Sequence, residues 1–418
     1  MPIKGFFPGS ELAQVKAPQS LVPKCGACRL HKSDSKRKCH RPKWETVGQG
    51  KKKILIVNAF PSARVDTSGD LFGSPDHELL RNTLRRNGVD MERDCWVDHA
   101  LICAPRGVIT TAKHVSYCRP NLTKRIQKLK PTTVILLGRE AVASVVGWLW
   151  KENVGLSAQR WTGWRIPCQR INAWLCPTFH PSVVENELKG KYKNPVPKIL
   201  FEKHIAKALE NPTERPWATV PDWASEVECI QDARKAARIL RKMVEKGGPV
   251  AFDYEANMLK PEGKKFKILS CSVCWRGKKT IAYPWDGDAI DATKELLKSD
   301  LPKIAANLKY EDRVTYRDLG VKIRNWYFDT MLGAHAIDSR KGTKSLKFQA
   351  FVCLGMDSYN DHIEKFFESV GTMEENLIER EISISDLLKY NGLDSLLEYK
   401  LAEHQMEVIG YPKPKGMK

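Results

Sequence analysis

The chain has 418 residues, with 69 Lys+Arg against 49 Asp+Glu and a formal net charge of +20. That length exceeds one ordinary hydrophobic core and predicts two domains. The 42% apolar fraction and 12 Trp exclude a disordered chain, and no apolar run reaches the roughly 18 residues that span a bilayer. The charge is uneven. Residues 1–210 carry 36 Lys/Arg and 17 Asp/Glu, a net +19, whereas residues 211–418 carry 33 and 32, a net +1. The front half is the one suited to a polyanion. The opening segment MPIKGFFPGSELAQ lacks the continuous apolar stretch of a secretory signal, so a soluble cytoplasmic protein with reduced thiols is expected.

In chain order, the first ~50 residues read as loop, with the basic run KSDSKRKCHRPK. KKKILIVNAF (51–60) predicts a strand, HELLRNTLRRNG a helix stopped at Gly88, and DCWVDHALIC (94–103) a strand. TAKHVSYCRPNLTKRIQKLK predicts a basic helix broken near Pro120. TTVILLG (132–138), REAVASVVGWL and INAWLCPTFHPS (171–182) follow as strand, helix and strand. Strands alternating with helices argue for a three-layer α/β/α domain over 1–210. The Pro-rich stretch 211–223 reads as a linker, and 224–418 as a second α/β domain. That domain is expected to open on one long amphipathic helix, SEVECIQDARKAARILRKMVEKGG, followed by the strands PVAFDYEAN, KILSCSVCWRG and KTIAYPW. Cys271 and Cys274 lie at i and i+3 of such a strand, on opposite faces, and read as packing residues; Cys229 and Cys353 read as structural.

Asp253 and Glu255 stand at i and i+2 of a strand and so face one side. Tyr390 and Asp394 stand at i and i+4 of a helix, again one face, and Glu311–Asp312 follow an Asn-Leu-Lys-Tyr run. Carboxylates gathered with a Tyr suit two-metal phosphodiester hydrolysis, in which cations stabilise the attacking and leaving oxygens. In order and spacing, AFDYEAN, NLKYE and YNGLD resemble the three motifs of the 3′–5′ proofreading exonuclease domain of family A DNA polymerases, a DnaQ-like, ribonuclease H-type fold, over about residues 225–408. The resemblance implies a 3′–5′ deoxyribonuclease with two Mg²⁺ or Mn²⁺. Asp253 would bridge both ions, Glu255 and Asp394 would bind the tighter one, and Tyr390 would contact the attacking water. The second motif departs from the family, which has Asp where Glu311 stands; Glu311 keeps the register, with Asp312 as the alternative. No polymerase segment follows, so any polymerase is expected on a separate polypeptide.

In the basic half, Cys25-Gly-Ala-Cys28 and the pair Cys103 and Cys118 make a 2+2 thiolate pattern that suits zinc or a [4Fe–4S] cluster; spacing does not choose. Cys39, in KCH, is a rival ligand for a local Cys₃His zinc knuckle. The order CGACRL, ILIVNAFP, CWVDHALICAPRG with SYCRPNL, KPTTVILLG and PTFHPS resembles the iron–sulfur (type 4-like) uracil-DNA glycosylases over about residues 22–207. That resemblance implies a [4Fe–4S] cluster on Cys25, Cys28, Cys103 and Cys118. It also implies a base pocket in which Phe72 stacks and His180 survives. The family's catalytic Glu is here Ala59, its base-reading Asn is His99, and Asp66 is the one acid placed to compensate. A DNA-binding domain that has lost excision is the expectation, with an active uracil or modified-base glycosylase and a non-catalytic polymerase clamp as alternatives. Lys51, Lys52, Lys53, Lys124, Arg125, Lys128 and Lys130 are candidate phosphate contacts, and Trp148, Trp150, Trp161, Trp164 and Trp174 candidate stacking platforms. Together the two resemblances suggest a bacteriophage-type replication protein that binds DNA beside a separate polymerase.

Overall fold

The computed structural model describes residues 22–32, 39–150, 157–189, 193–258, 260–357 and 383–417. The chain divides into two compact units, one ending at Val220 and the other running from Pro221 to Lys418. Among the described residues no helix is long and apolar enough to cross a membrane.

The first unit is built on five short strands, β1 (Ile54–Asn58), β2 (Cys95–His99), β3 (Thr133–Leu137), β4 (Ile166–Cys168) and β5 (Ala173–Thr178). Their order is β2-β1-β3-β5-β4, parallel except for β4 against β5. Every residue of β1 and β3 is buried, as a parallel strand covered on both faces requires. Ile54, Ile56, Ile135 and Leu137 pack against Leu80 and Leu84 of α3 (Glu78–Arg86) and against Phe201 and Ile205 of α8 (Val196–Ala208). The alternate residues Leu55, Val57, Val134 and Leu136 are equally buried on the other face, the side of α5 (Ala112–Leu129) and α6 (Gly138–Leu149). Three layers result. Helix α5 runs through Pro120 instead of breaking there. Its Thr111–His114 capping box and the buried Val115, Leu122 and Ile126 hold it on both sides of the proline, and Arg119 donates to the Ala143 carbonyl at 2.8 Å.

The expected linker is not free chain over its first half. Thr132 and Thr133 donate to the Pro212 carbonyl at 2.7 and 2.9 Å, Trp174 Nε1 donates to that of Glu214 at 3.1 Å, and Asn172 Nδ2 to that of Trp217 at 3.0 Å. Residues 212–217 are thereby strapped to the first unit.

The second unit holds a mixed six-stranded sheet. Its strands are β6 (Val227–Cys229), β7 (Val250–Ala256), β8 (Ile268–Trp275), β9 (Lys279–Pro284), β10 (Lys303–Ala305) and β11 (Trp326–Asp329), in the order β11-β10-β7-β8-β9-β6. The predicted opening helix is divided. Residues 227–229 pair in parallel with β9, and helix α9 (Ala233–Lys246) begins only after Asp232, whose side chain caps it. The cause is non-local: helix-compatible residues gain strand bonds from a partner some 50 positions away. Phe252 and Tyr254 of β7 pack into the core with α9 and with α10 (Gly287–Lys298). The opposite face is covered by α14 (Ile384–Ile409), whose Leu388, Leu397 and Leu401 are fully buried. Cys271 and Cys274 are buried in β8, as packing residues are. The architecture is α/β in both units, a three-layered unit followed by one with a mixed six-stranded sheet.

Candidate active site

Alternation along β7 sends Phe252 and Tyr254 into the core and turns Asp253 and Glu255 toward α14. Tyr254 is tied to its side by a 3.2 Å hydrogen bond with Thr315. Helix α14 returns Tyr390 and Asp394, one turn apart and 4% and 5% exposed, to the same place. One carboxylate oxygen each from Asp253, Glu255 and Asp394 lies within 4.8 Å of the others. Oxygen ligands so gathered are the donor set of a hard divalent cation such as Mg²⁺ or Mn²⁺, and the three residues fit one. Without a cation, burial and then Glu398, Asp394 and Glu255 push Asp253 well above the ordinary carboxylate range. Burial, with Asp394 adding to it, does the same to Glu255. A divalent cation reverses that sign, favouring the charged forms.

Several residues that hold this arrangement were not singled out from the sequence. Asn391 is fully buried and donates from Nδ2 to Asp253 Oδ2 at 2.8 Å, while Ser270 donates to its Oδ1 at 3.0 Å and Ser272 to its backbone carbonyl at 2.7 Å. Gly392 lets α14 lie against the sheet, since a Cβ there would sit 2.3 Å from Val227 Cγ1. Lys347 of α13 (Leu346–Leu354) is the cation that partly offsets the charge around Glu255, and its Nζ is 5.7 Å from the Tyr390 ring centre. Asp329 accepts the amides of Asn307 and Leu308 and caps α12 (Thr330–Ile337) through those of Met331 and Leu332. That single carboxylate fixes the turn into α11 (Leu308–Leu319), where Asn307 takes a left-handed φ of 60° that asparagine tolerates. The turn aims Glu311 inward, 4% exposed, among Asp253 and Glu255. Asp312 faces elsewhere and accepts the Ile323 amide at 3.3 Å.

In the first unit, the four-residue turn α1 (Cys25–Cys28) is tied to α5 by the Lys24 amide on the Tyr117 carbonyl. Cys25, Cys28, Cys103 and Cys118 line one cavity with Leu30, Leu101 and Ile102. The Lys43 amide donates to Cys103 Sγ, and the Ile102 amide and Asn121 donate to Cys118 Sγ. Such bonds favour thiolates. Burial opposes them, raising Cys28 and Cys118 and pushing Cys103 up to about 12, so a bound group must displace the protons. Four sulfurs lining one largely apolar cavity are a donor set that fits a thiolate-bound metal, zinc or an iron–sulfur cluster. Cys39 does not line that cavity, although it is a charged neighbour of Cys103; its Sγ donates to Asp66 at 3.5 Å, and His40 is exposed.

The carboxyl ends of the parallel strands, the usual ligand position in an α/β sheet, gather a second group of polar side chains. Asn58 and His99 are register partners ending β1 and β2. His180 follows β5, and Gly138, at φ +83° with its Cβ position only 3.0 Å from that of His180, leaves it room. His77, which sequence reasoning missed, completes the group through a 3.2 Å bond between its Nε2 and Asn58 Nδ2. Burial lowers His99 to about 3 and His77 to about 4, and also lowers His180, favouring the neutral imidazole in each. Ala59 is buried and Phe72 half-buried. Asp66 is committed elsewhere. It is fully buried and, although burial raises its pKa, the amides of His40 and Arg41 and the Arg106 guanidinium bring it below the usual range.

Residues 46–203 match the family model of the uracil DNA glycosylase superfamily, and residues 227–406 match that of 3′–5′ exonuclease. The chain joins a glycosylase-like domain to an exonuclease-like one. The type-4 uracil-DNA glycosylase of Pyrobaculum aerophilum is 28% identical over 183 residues, 41% of this chain and 86% of that protein. Its counterpart from Saccharolobus solfataricus is 25% identical over 199 residues, 46% and 84%. Among solved structures, Escherichia coli RNase D, an exoribonuclease involved in structured RNA processing, aligns with 12% identity and a TM-score of 0.34. That alignment covers 44% of this chain and 46% of the RNase D chain, less than half of its length.

The glycosylase-like domain corrects several expected DNA contacts. Arg125 turns inward, donating to the buried Asp98 at 2.8 Å and to the Trp44 carbonyl. Lys52 is spent on the Gly88 carbonyl and Asp94. Lys51, Lys53, Lys124, Lys128 and Lys130 are exposed. Lys51 and Lys53 precede β1, and Lys128 and Lys130 precede β3, at the end of the sheet opposite the histidine group. Of the run KSDSKRK, residues 33–38 lie outside the described residues. Trp150 and Trp161 are buried edge to face, Trp164 donates to the Arg160 carbonyl, and Arg165 stacks 3.7 Å from the Trp174 ring, so these are packing residues rather than open platforms. Trp148 is half-buried in α6.

Proposed function

We propose that the chain is a divalent-cation-dependent 3′–5′ deoxyribonuclease carried on an iron–sulfur, glycosylase-like DNA-binding domain that no longer excises bases, acting in replication beside a separate polymerase in the cytoplasm. The observation that carries the reading is the meeting of Asp253, Glu255 and Asp394 within 4.8 Å at the face where Tyr390 and Glu311 also converge. Bound cations would activate the attacking water and neutralise the leaving oxygen. Asp253, Glu255 and Asp394 would hold them, with Asn391 fixing the Asp253 carboxylate and Glu311 facing from the second motif. The Tyr390 hydroxyl would orient the water in line with the terminal phosphodiester.

Two observations support a lost excision activity. Ala59 has no acid–base capacity, and Asp66 is locked in its own network. The nearer acids are engaged as well: Asp76 pairs with Ser62 and Arg64, and Glu140 with Thr110 and Arg139. Cys25, Cys28, Cys103 and Cys118 would hold the [4Fe–4S] cluster, whose contribution is to cross-link the N-terminal turn to the β2–α5 loop. DNA is favoured over RNA as substrate because the nuclease is joined to a domain resembling DNA repair enzymes. The test is polarity: a DNA strand labelled at its 5′ end should shorten one nucleotide at a time with Mg²⁺ or Mn²⁺. Endonucleolytic fragments, or activity that persists in EDTA, would overturn the reading.

A further inference from the structure

Helix α14 brings one more carboxylate to the acidic site. Glu398 lies one turn beyond Asp394 and is 1% exposed. Its Oε1 accepts the Ala306 amide at 3.0 Å, on the loop that leads to Glu311. Its Oε2 has no hydrogen-bond partner, and neither has Oε2 of Glu311, itself 4% exposed. Asp329, close by, is the opposite case, with amides from two loops on its oxygens. Glu311 is the strongest charged neighbour of Glu398, and Glu398 is that of Asp253. Two adjacent buried carboxylates with an orphan oxygen each require a proton or a cation between them. They stand beside the Asp253–Glu255–Asp394 triad without being part of it.

We propose that Glu398 is a further member of the cation site, its Oε2 and that of Glu311 together seating the second of the two cations. The inference rests on the two-cation hydrolysis proposed above and deepens it. It also gives a reason for the Glu at position 311, which is the first charged neighbour of Glu398. On this account the second motif and the helical turn after the third act as a pair.

Glu398→Gln separates the two ways of satisfying the orphan oxygens. Glutamine keeps the bond to the Ala306 amide and mimics a carboxyl that carries a proton, but it cannot supply the negative charge. Mn²⁺ binding to the full chain is followed by calorimetry and by electron paramagnetic resonance, on the parent, on E398Q and on D253A/E255A. The parent should bind two ions at this site. E398Q should keep one at parent affinity and bind the other about 10–100-fold more weakly, with nucleotide release recovering as Mn²⁺ is raised. E398Q that binds both ions as tightly as the parent would overturn the role of Glu398 alone. A parent that binds none, or a D253A/E255A variant that binds both undiminished, would overturn the hydrolytic reading and this inference with it. Should cation-free E398Q melt below the parent, Glu398→Asp carries the same test, since its shortened carboxylate must also weaken the second ion.

Discussion

Asn391→Ala is the substitution whose consequences follow most fully from the geometry. The side chain is completely buried between two strands and α14. It loses a 2.8 Å hydrogen bond to Asp253, worth about 1.5–3 kcal/mol when a bound cation keeps that carboxylate charged. It also strands the Ser270 hydroxyl, which now donates to Oδ1, at a further cost of roughly 1–3 kcal/mol. Helix α14 stays docked, because Ser272 donates to the backbone carbonyl of residue 391 and not to its side chain. The variant should therefore fold, melt earlier, and present an Asp253 free to rotate away from the triad. Nucleotide release and Mn²⁺ affinity should each fall about 10–100-fold, the usual effect of removing a residue that orients a metal ligand. Gel resolution of products from a 5′-labelled strand, beside calorimetric Mn²⁺ titration, measures both. An N391A protein with parental affinity and turnover would refute the idea that Asn391 positions Asp253.

Other outcomes follow from the same coordinates. Asp253, Glu255, Glu311 and Glu398 keep their protons to higher pH in the folded than in the unfolded chain, where carboxyls titrate near about 4. The cation-free second unit should thus lose stability as pH rises through that window, and Mn²⁺ should raise its melting temperature more at about pH 7.5 than at about pH 5.5; differential scanning calorimetry reads both. The first unit carries the opposite sign. His99 and His77 titrate near 3 and 4 when folded, so stability is lost as pH falls below the unfolded value of about 6.5. His99→Leu should make that acid slope shallower, as thermal melts across the range would show. Purified protein should absorb near 400 nm, as iron–sulfur proteins do, and Cys103→Ser should lose the colour; a colourless protein with stoichiometric zinc would contradict the cluster. Uracil-containing single strands treated with alkali after incubation should remain intact, and cleavage at uracil would show that excision survives.

The acidic triad was legible because its positions obey local periodicities, i and i+2 on a strand and i and i+4 on a helix. Glu398 obeys the same helical spacing from Asp394, yet nothing local in SLLEYK marks it as buried; it meets the Ala306 amide, which lies far away in sequence. Residues 227–229 read as helix for a related reason, since their strand exists only by pairing with β9. His77 was hidden in a short polar turn until Asn58 was placed beside it. Arg125 and Asp66 were visible as charges, but their ion-pair partners Asp98 and Arg106 were not. Residue type and spacing revealed which chemistry was available; which side chains remained free to perform it required the packing.

The central claim is that Asp253, Glu255 and Asp394 hold the cations for hydrolysis from a DNA 3′ end. Mononucleotide release by the full chain and by the Asp253→Ala, Glu255→Ala double variant, side by side with Mg²⁺ and with Mn²⁺, tests it most directly. The account predicts stepwise 3′ shortening by the parent and none by the variant. Equal degradation by both proteins, or none by the parent with either ion, would contradict it.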